Sequence, residues 1–335
     1  MRKKSLTTVS ALLAILLLIT ACNAGEQQTA EPAQKDQTTQ NDKTEAADKP
    51  IQLPDEHLQK NDEGAAVKAL QAALQKTGYD ISSSGNYDAL TTWAVTDYQM
   101  QQETLAVTGI YDDDTKQALQ TSLDDNTPVN PGKGLDEPDK DATAISNPHE
   151  ILALVNKDYV LPDGFEPLKL VEPDVRFPFE EFLPKKQMRE VAAAALEDMF
   201  AAADDAGLDL FAQSGYRSFD RQDAIFASNV AEHGEEAANN FSAKPGESEH
   251  QTGLTMDVTS PDVNHQLIEE FGETDEGKWL KQHAAEYGFI IRYPEGKEEI
   301  TQYQYEPWHL RYVGKAAATD IAEQGITLEE YLGEV

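Results

Sequence analysis

Two polar segments divide the chain and so limit where a hydrophobic core can form. Residues 23–50 contain no aromatic and no branched aliphatic side chain, so they cannot bury enough apolar surface to offset the entropy of ordering them. Residues 123–147 are rich in Pro, Gly and Asp, which is typical of a linker. The 335-residue chain is therefore predicted to fold as two regions, a small one over residues 51–122 and a larger one over residues 148–335.

The first 21 residues are typical of an export signal. A basic start precedes a mostly apolar stretch over residues 6–19, which is short for a membrane span. The only cysteine, Cys22, excludes an intrachain disulfide. Residues 19–22 (ITAC) resemble a bacterial lipobox, which implies cleavage before Cys22, a lipid on that cysteine and a disordered tether over residues 22–50. An ordinary signal peptide with an incidental cysteine is the alternative.

The charge of the chain is strongly unbalanced. It carries 27 basic and 61 acidic residues, a formal net charge of −34. A surface this acidic repels the phosphates of nucleic acids and the headgroups of anionic lipids. Nucleic acid is therefore not expected as a partner.

A repeat with an offset of 24 residues organises the small region. Residues 85–91 and 109–115 share the pattern G-x-Y-D-x-x-T, and in each copy the aspartate (Asp88 or Asp112) can cap a helix that begins directly after it. Apolar spacing predicts a further helix over residues 64–76. This arrangement resembles the three-helix type of peptidoglycan-binding domain, which implies the glycopeptide of the cell wall as its ligand. A generic helical spacer is the alternative.

Short strands and helices follow one another irregularly in the large region, which favours an α+β fold over a doubly wound sheet. Helices are predicted over residues 185–205, 220–233 and 278–287, and strands over residues 208–211, 253–259, 289–293 and 308–313. In the strand at 253–259, apolar and polar side chains alternate with the period of a half-buried strand.

Two short motifs of the large region carry metal-binding residue types. His250 lies just before a predicted strand that contains Asp257, and Glu306 precedes His309 by three residues in a second extended segment. Two imidazoles and one carboxylate suit zinc and leave its fourth position for water, whose pKa the metal lowers toward neutrality. A carboxylate that is not a ligand can then accept the proton of the water, and Glu306 is the candidate.

The pattern S-x-H-x-x-G-x-x-x-D over residues 248–257, followed by E-x-W-H over residues 306–309, resembles the VanY-type D,D- and L,D-carboxypeptidases. These zinc peptidases share a fold with hedgehog N-terminal domains. The resemblance spans residues 147–330 and implies a small antiparallel sheet with flanking helices. Thr255 departs from the alanine usual in the family. Further matching positions are Asn156, Lys157, Asp158, Tyr159, Leu161, Pro162, Ser214, Gly215, Tyr216, Arg217, Ser218 and Gln222.

The resemblance also implies a role for individual residues. His250, Asp257 and His309 would bind one zinc ion, and Glu306 would act as the general base. Arg217 would stabilise the oxyanion that develops on the scissile carbonyl, a role that suits a fixed guanidinium. Contacts to the substrate, chiefly to its terminal D-alanine carboxylate, are implied for Gln222, Ser248, Tyr293 and Gln213.

The sequence thus predicts a monomeric zinc carboxypeptidase that removes the C-terminal D-alanine from peptidoglycan stem peptides. The lipid on Cys22 would anchor it to the outer face of the bacterial plasma membrane, and the small module would bind the wall polymer. One alternative is a peptidoglycan endopeptidase. Another is a wall-binding lipoprotein that has lost catalysis, which the intact set of ligands, base and arginine disfavours. The residues do not distinguish stem peptides ending in D-Ala-D-Ala from shorter ones.

Overall fold

The computed structural model describes residues 51–138 and 144–335, which belong to one structural unit. The export signal, the tether and the lipid on Cys22 lie outside the described residues and stay predictions. Within the described ranges, no helix has the length and apolar character needed to cross a membrane.

The small module contains three helices: α1 (Ala65–Thr77), α2 (Ala89–Met100) and α3 (Asp113–Asp124). Both predicted caps are confirmed. An oxygen of Asp88 accepts a hydrogen bond from the backbone N–H of Thr91 at 2.9 Å, and Asp112 accepts one from Thr115 at 2.8 Å. The helices enclose their own core, which includes Val67, Leu70, Leu74, Tyr87, Trp93, Tyr98, Tyr111 and Leu119.

Part of the segment after α3, predicted as a linker, is bound to the module. The buried carboxylate of Asp97 in α2 accepts hydrogen bonds from the backbone N–H groups of Gly132, Gly134 and Leu135 at 2.7 to 3.1 Å. The indole of Trp93 donates to the carbonyl of Leu135 at 2.9 Å. This stretch therefore has a defined path along the module, because its backbone donors meet a buried acceptor.

The large domain mixes helices with antiparallel strands, as predicted. Its helices are α4 (Glu190–Asp205), α5 (Phe219–His233), α6 (Glu235–Phe241), α7 (Asp275–His283), α8 (Glu298–Thr301), α9 (Lys315–Gln324) and α10 (Leu328–Leu332). Its strands are β1 (Leu170–Val171), β2 (Met188–Arg189), β3 (Phe211–Ser214), β4 (Thr255–Thr259), β5 (Phe289–Tyr293) and β6 (Glu306–Tyr312). β1 pairs with β2, and the other four form an antiparallel sheet in the order β3-β4-β6-β5. The α+β prediction is confirmed.

Several predicted elements have different bounds in the structure, and α4 and β3 are two examples. α4 begins at Glu190 rather than at residue 185, because Pro184–Lys186 forms a 3-10 turn and Met188–Arg189 pairs with β1. The strand predicted at residues 208–211 lies at Phe211–Ser214, where it pairs with β4.

β4 is buried on both faces, which corrects the prediction of a half-buried strand. Its apolar face, with Met256 and Val258, belongs to the main core, to which α4, α7 and α9 also contribute side chains. Its polar face carries Thr255, Asp257 and Thr259, which are buried as well, and Asp257 lines the candidate site. The alternation of polar and apolar residues along β4 therefore does not indicate a face exposed to solvent.

Buried polar contacts join the module to the large domain. Arg189 is 3% exposed, and its guanidinium donates to the backbone carbonyls of His149 (3.0 Å) and of Val107 in the module. Burial and nearby Arg311 lower the pKa of Arg189 to about 10. The ammonium of Lys60 donates to Glu150 at 3.0 Å. These contacts hold the two regions in one fixed arrangement.

Candidate metal centre

Three side chains from separate segments converge at one buried point. His250 lies in the 3-10 turn Glu249–Thr252, Asp257 lies in β4, and His309 lies directly opposite Asp257 in β6. One candidate ligand atom from each residue lies within 4.8 Å of the other two. The antiparallel register explains the convergence, because directly opposite residues project from the same face of a sheet.

Each histidine presents a different nitrogen to the centre. Nδ1 of His250 lies 2.8 Å from the carbonyl oxygen of Gly215, and its Nε2 lies 3.4 Å from Asp257 Oδ2. For His309 the arrangement is reversed, since Nδ1 lies 3.3 Å from Asp257 Oδ1 and 3.4 Å from Glu306 Oε2. A hydrogen bond to one ring nitrogen decides which tautomer exists and leaves the other nitrogen free for a metal.

The charges at the centre fit a bound cation. Burial, only partly opposed by Asp257, lowers the pKa of His250 to about 3, so its ring is neutral and can be a ligand. Burial alone would raise the pKa of Asp257, but His250 and His309 hold it below its usual range. Burial would lower the pKa of His309, but the nearby carboxylates of Asp257, Glu249 and Glu306 raise it well above its usual value.

Asp257 Oδ1 is buried and has no hydrogen-bond partner within residues 51–138 and 144–335. Such an oxygen, buried beside two imidazole nitrogens, is an acceptor that a bound cation would satisfy. Two nitrogens and one oxygen are the donor set of catalytic zinc. The predicted cofactor, one zinc ion, therefore fits these residues.

Glu306 differs from the three ligands in its exposure. It opens β6 opposite Tyr293 and precedes Pro307, which favours the extended backbone that it adopts. Its side chain is 14% exposed, whereas that of Asp257 is 5% exposed. Glu306 thus lies beside the centre but faces the open space where a substrate would bind.

That open space is a cleft of about 190 Å³. The predicted residues Arg217, Ser248, Tyr293 and Glu306 line it together with the three candidate ligands. Tyr303 and Trp308, to which the sequence assigned no role, are among the other residues that line it.

Arg217 is held in place by a short chain of hydrogen bonds. Its Nη1 donates to Gln222 Oε1 at 2.9 Å, and Gln222 Nε2 donates to the carbonyl of Ala243 at 2.6 Å. Burial lowers the pKa of Arg217, while Asp257 and Glu306 raise it. Gln222 lies behind Arg217 and not among the residues that line the cleft. Gln213, at a register shift between β3 and β4, does not line it either.

A residue that the sequence did not identify lies directly behind His309. The carboxylate of Glu249 is 1% exposed and accepts hydrogen bonds from Arg292 (2.8 Å) and Arg311 (2.6 Å). Burial alone would raise the pKa of Glu249, but these two guanidinium groups hold it well below its usual range. An acidic residue directly before the motif histidine was the available sequence signal, but its partners are 43 and 62 residues away.

A buried His-Asp-His set, with a carboxylate and an arginine beside it in an open cleft, is the arrangement of a mononuclear metal-dependent hydrolase. Two family models match the chain. The "D-alanyl-D-alanine carboxypeptidase" model, VanY, matches residues 185–315, and the "Putative peptidoglycan binding domain" model matches residues 63–119.

Known relatives agree with these matches. The "Putative carboxypeptidase YodJ" of Bacillus subtilis (strain 168) is 56% identical over 191 residues, which cover 57% of this chain and 70% of the relative. The bifunctional D-Ala-D-Ala dipeptidase and carboxypeptidase VanXYC of Enterococcus gallinarum is 36% identical, over 54% of this chain and 92% of its own length. The solved structure of the LD-carboxypeptidase LdcB is 54% identical with a TM-score of 0.56, covering 61% of this chain and 92% of that one. The chain belongs to the VanY family of D-alanyl-D-alanine carboxypeptidases.

Proposed function

We propose that this protein is a zinc carboxypeptidase that removes the terminal D-alanine from peptidoglycan stem peptides. The observation that carries the proposal is the buried set of His250, Asp257 and His309 with Glu306 directly beside it in the cleft. Zinc bound by these three residues would supply a polarised carbonyl and a water molecule acidic enough to react near neutral pH.

Glu306 is the proposed general base. Its carboxylate is close to the centre yet reaches the cleft, so it can take a proton from the attacking water. As the peptide bond breaks, the same carboxylic acid can deliver that proton to the nitrogen of the leaving D-alanine. One residue thus serves both proton transfers, and the carboxylate is regenerated.

Arg217 is the proposed stabiliser of the oxyanion. Its guanidinium lines the cleft and is fixed by Gln222, so it requires little reorganisation during the reaction. We therefore assign Gln222 a positioning role: it holds the guanidinium of Arg217 in place and does not contact the substrate itself. Ser248 and Tyr293, which line the cleft, are the proposed contacts to the terminal carboxylate of the substrate, whereas Gln213 lacks a place in the cleft from which to make such a contact.

The proposed substrate is a stem peptide in which D-alanine follows an L-centre, the L,D-type. Sequence identity supports this choice, because the chain is 54% identical to the LD-carboxypeptidase LdcB but 36% identical to VanXYC. The small module would keep the enzyme on the wall polymer and so raise the local concentration of substrate. Action outside the cytoplasm follows from a wall substrate, and the lipid on Cys22 would add a membrane anchor.

Incubation of the purified protein with tetrapeptide and pentapeptide muropeptides, followed by mass spectrometry, tests the proposal. We expect the tetrapeptide to lose one alanine faster than the pentapeptide does, and a chelator to block both reactions. Faster trimming of the pentapeptide would favour the D,D-type instead. Cleavage inside the stem would indicate an endopeptidase, and unchanged peptides with zinc-loaded protein would indicate a binding function only.

A further inference from the structure

Two buried polar atoms face each other behind the candidate metal centre. Oε2 of Glu249 lies 3.6 Å from Nε2 of His309, which is too long for a hydrogen bond. Among the described residues, neither atom has a hydrogen-bond partner. Buried polar atoms without partners are uncommon, and here a shift of less than 1 Å would let each satisfy the other.

The other oxygen of Glu249 fixes the direction of this carboxylate. Oε1 accepts from Arg292 Nε at 2.8 Å and from Arg311 Nη1 at 2.6 Å. Arg292 in turn makes two hydrogen bonds, of 2.9 and 2.6 Å, to the carboxylate of Glu329 in α10. Two carboxylates and two guanidiniums thus balance one another in the interior. Glu249 cannot turn away without breaking this network, so Oε2 stays directed at His309.

A histidine ligand must offer a bare nitrogen to the metal and carry its proton on the other nitrogen. His250 achieves this with the carbonyl of Gly215, which faces Nδ1. We propose that Glu249 has the same role for His309: it accepts the Nε2–H and so keeps Nδ1 bare and directed at the metal. Glu249 is then a positioning residue. This inference rests on the proposed function, because it presupposes that His309 is a zinc ligand.

A matched pair of substitutions tests the inference. In Glu249→Gln the remaining oxygen is held by the two arginines, so an amide N–H₂, a donor, replaces the acceptor that faces His309. Glu329→Gln removes the same charge from the same network without contacting His309. Zinc affinity is measured by competition with a chelator. We expect Glu249→Gln to weaken zinc binding by about 10- to 100-fold, and Glu329→Gln to leave it within about twofold of wild type. Equal losses in both variants, or unchanged affinity in Glu249→Gln, would overturn the inference.

Nitrogen-15 NMR of the histidine rings in the zinc-loaded wild-type protein decides the matter even if Glu249→Gln does not fold. We expect His309 to bind zinc through Nδ1 and to carry its proton on Nε2, with His250 in the opposite tautomer. Zinc on Nε2 of His309 would overturn the inference while leaving the proposed function intact. Zinc-loaded protein without zinc on His309 would overturn the proposed function as well.

Discussion

Asp97 in the small module and Glu249 in the peptidase domain are both fully buried carboxylates, but different groups surround them. Asp97 accepts five hydrogen bonds, all from neutral donors: Tyr79, Gln101 and the backbone of Gly132, Gly134 and Leu135. Glu249 accepts from two guanidinium groups and directs its second oxygen at a candidate metal ligand.

The difference shows that a buried carboxylate has a different function in each of the two regions. In the module, the carboxylate collects the backbone donors of a loop and thereby fixes the path of the chain. In the peptidase domain, the buried charges balance one another around a centre that must also hold a cation. A substitution of Asp97 should therefore lower only the free energy of unfolding. A substitution among the charges around Glu249 should lower the free energy of unfolding and also disturb the metal centre.

The largest effect on stability is expected from Arg311→Met. This change leaves the buried charges unbalanced and removes the donor to the carbonyls of Ile151 (2.9 Å) and Ala153 (2.8 Å). The free energy of unfolding, measured by urea titration, should fall by about 3–5 kcal/mol. Arg176→Met is the matched control, because the Arg176–Asp204 pair is exposed, and it should cost about 1 kcal/mol or less. Similar losses in both variants would mean that the buried network has no special role.

A smaller effect is expected from Asp97→Asn. The new amide N–H₂ would face donors instead of accepting from them, at a cost of about 1–3 kcal/mol in the free energy of unfolding. Limited proteolysis should then cut the segment around Gly132 more readily, while turnover of soluble muropeptides stays unchanged.

Asp88→Asn is the control for Asp97→Asn, since asparagine caps a helix as well as aspartate does and this variant should behave like wild type. A loss of turnover in Asp97→Asn that matched the loss of stability would contradict the separation between the two regions.

Local signals in the sequence predicted the parts of the fold that depend on local contacts. The caps Asp88 and Asp112 are such features, because a cap bonds a backbone group three residues away. β5 has the predicted bounds, since Gly288, with a φ of 85°, ends the preceding turn in a conformation that favours glycine. The pairing of β2 with β1, which delays the start of α4, joins distant residues and left no local signal.

In the candidate site, too, the residues with a local sequence signal were predicted, and those whose role depends on distant residues were not. His250, Asp257, His309 and Glu306 carry a recognisable spacing, and the structure brings them together. Glu249 was missed because its role depends on arginines from two other strands. The family resemblance implied Gln222 as a substrate contact, whereas its contact with Arg217 could be seen only in three dimensions.

The measurement that tests the central claim most directly is the zinc content and turnover of Glu306→Gln, with Glu299→Gln on the exposed face of α8 as control. If Glu306 is the base and not a ligand, Glu306→Gln should bind one equivalent of zinc and lose turnover by a factor of about 100 or more. Glu299→Gln should match wild type in both respects. Release of alanine by zinc-loaded Glu306→Gln at the wild-type rate would contradict the account.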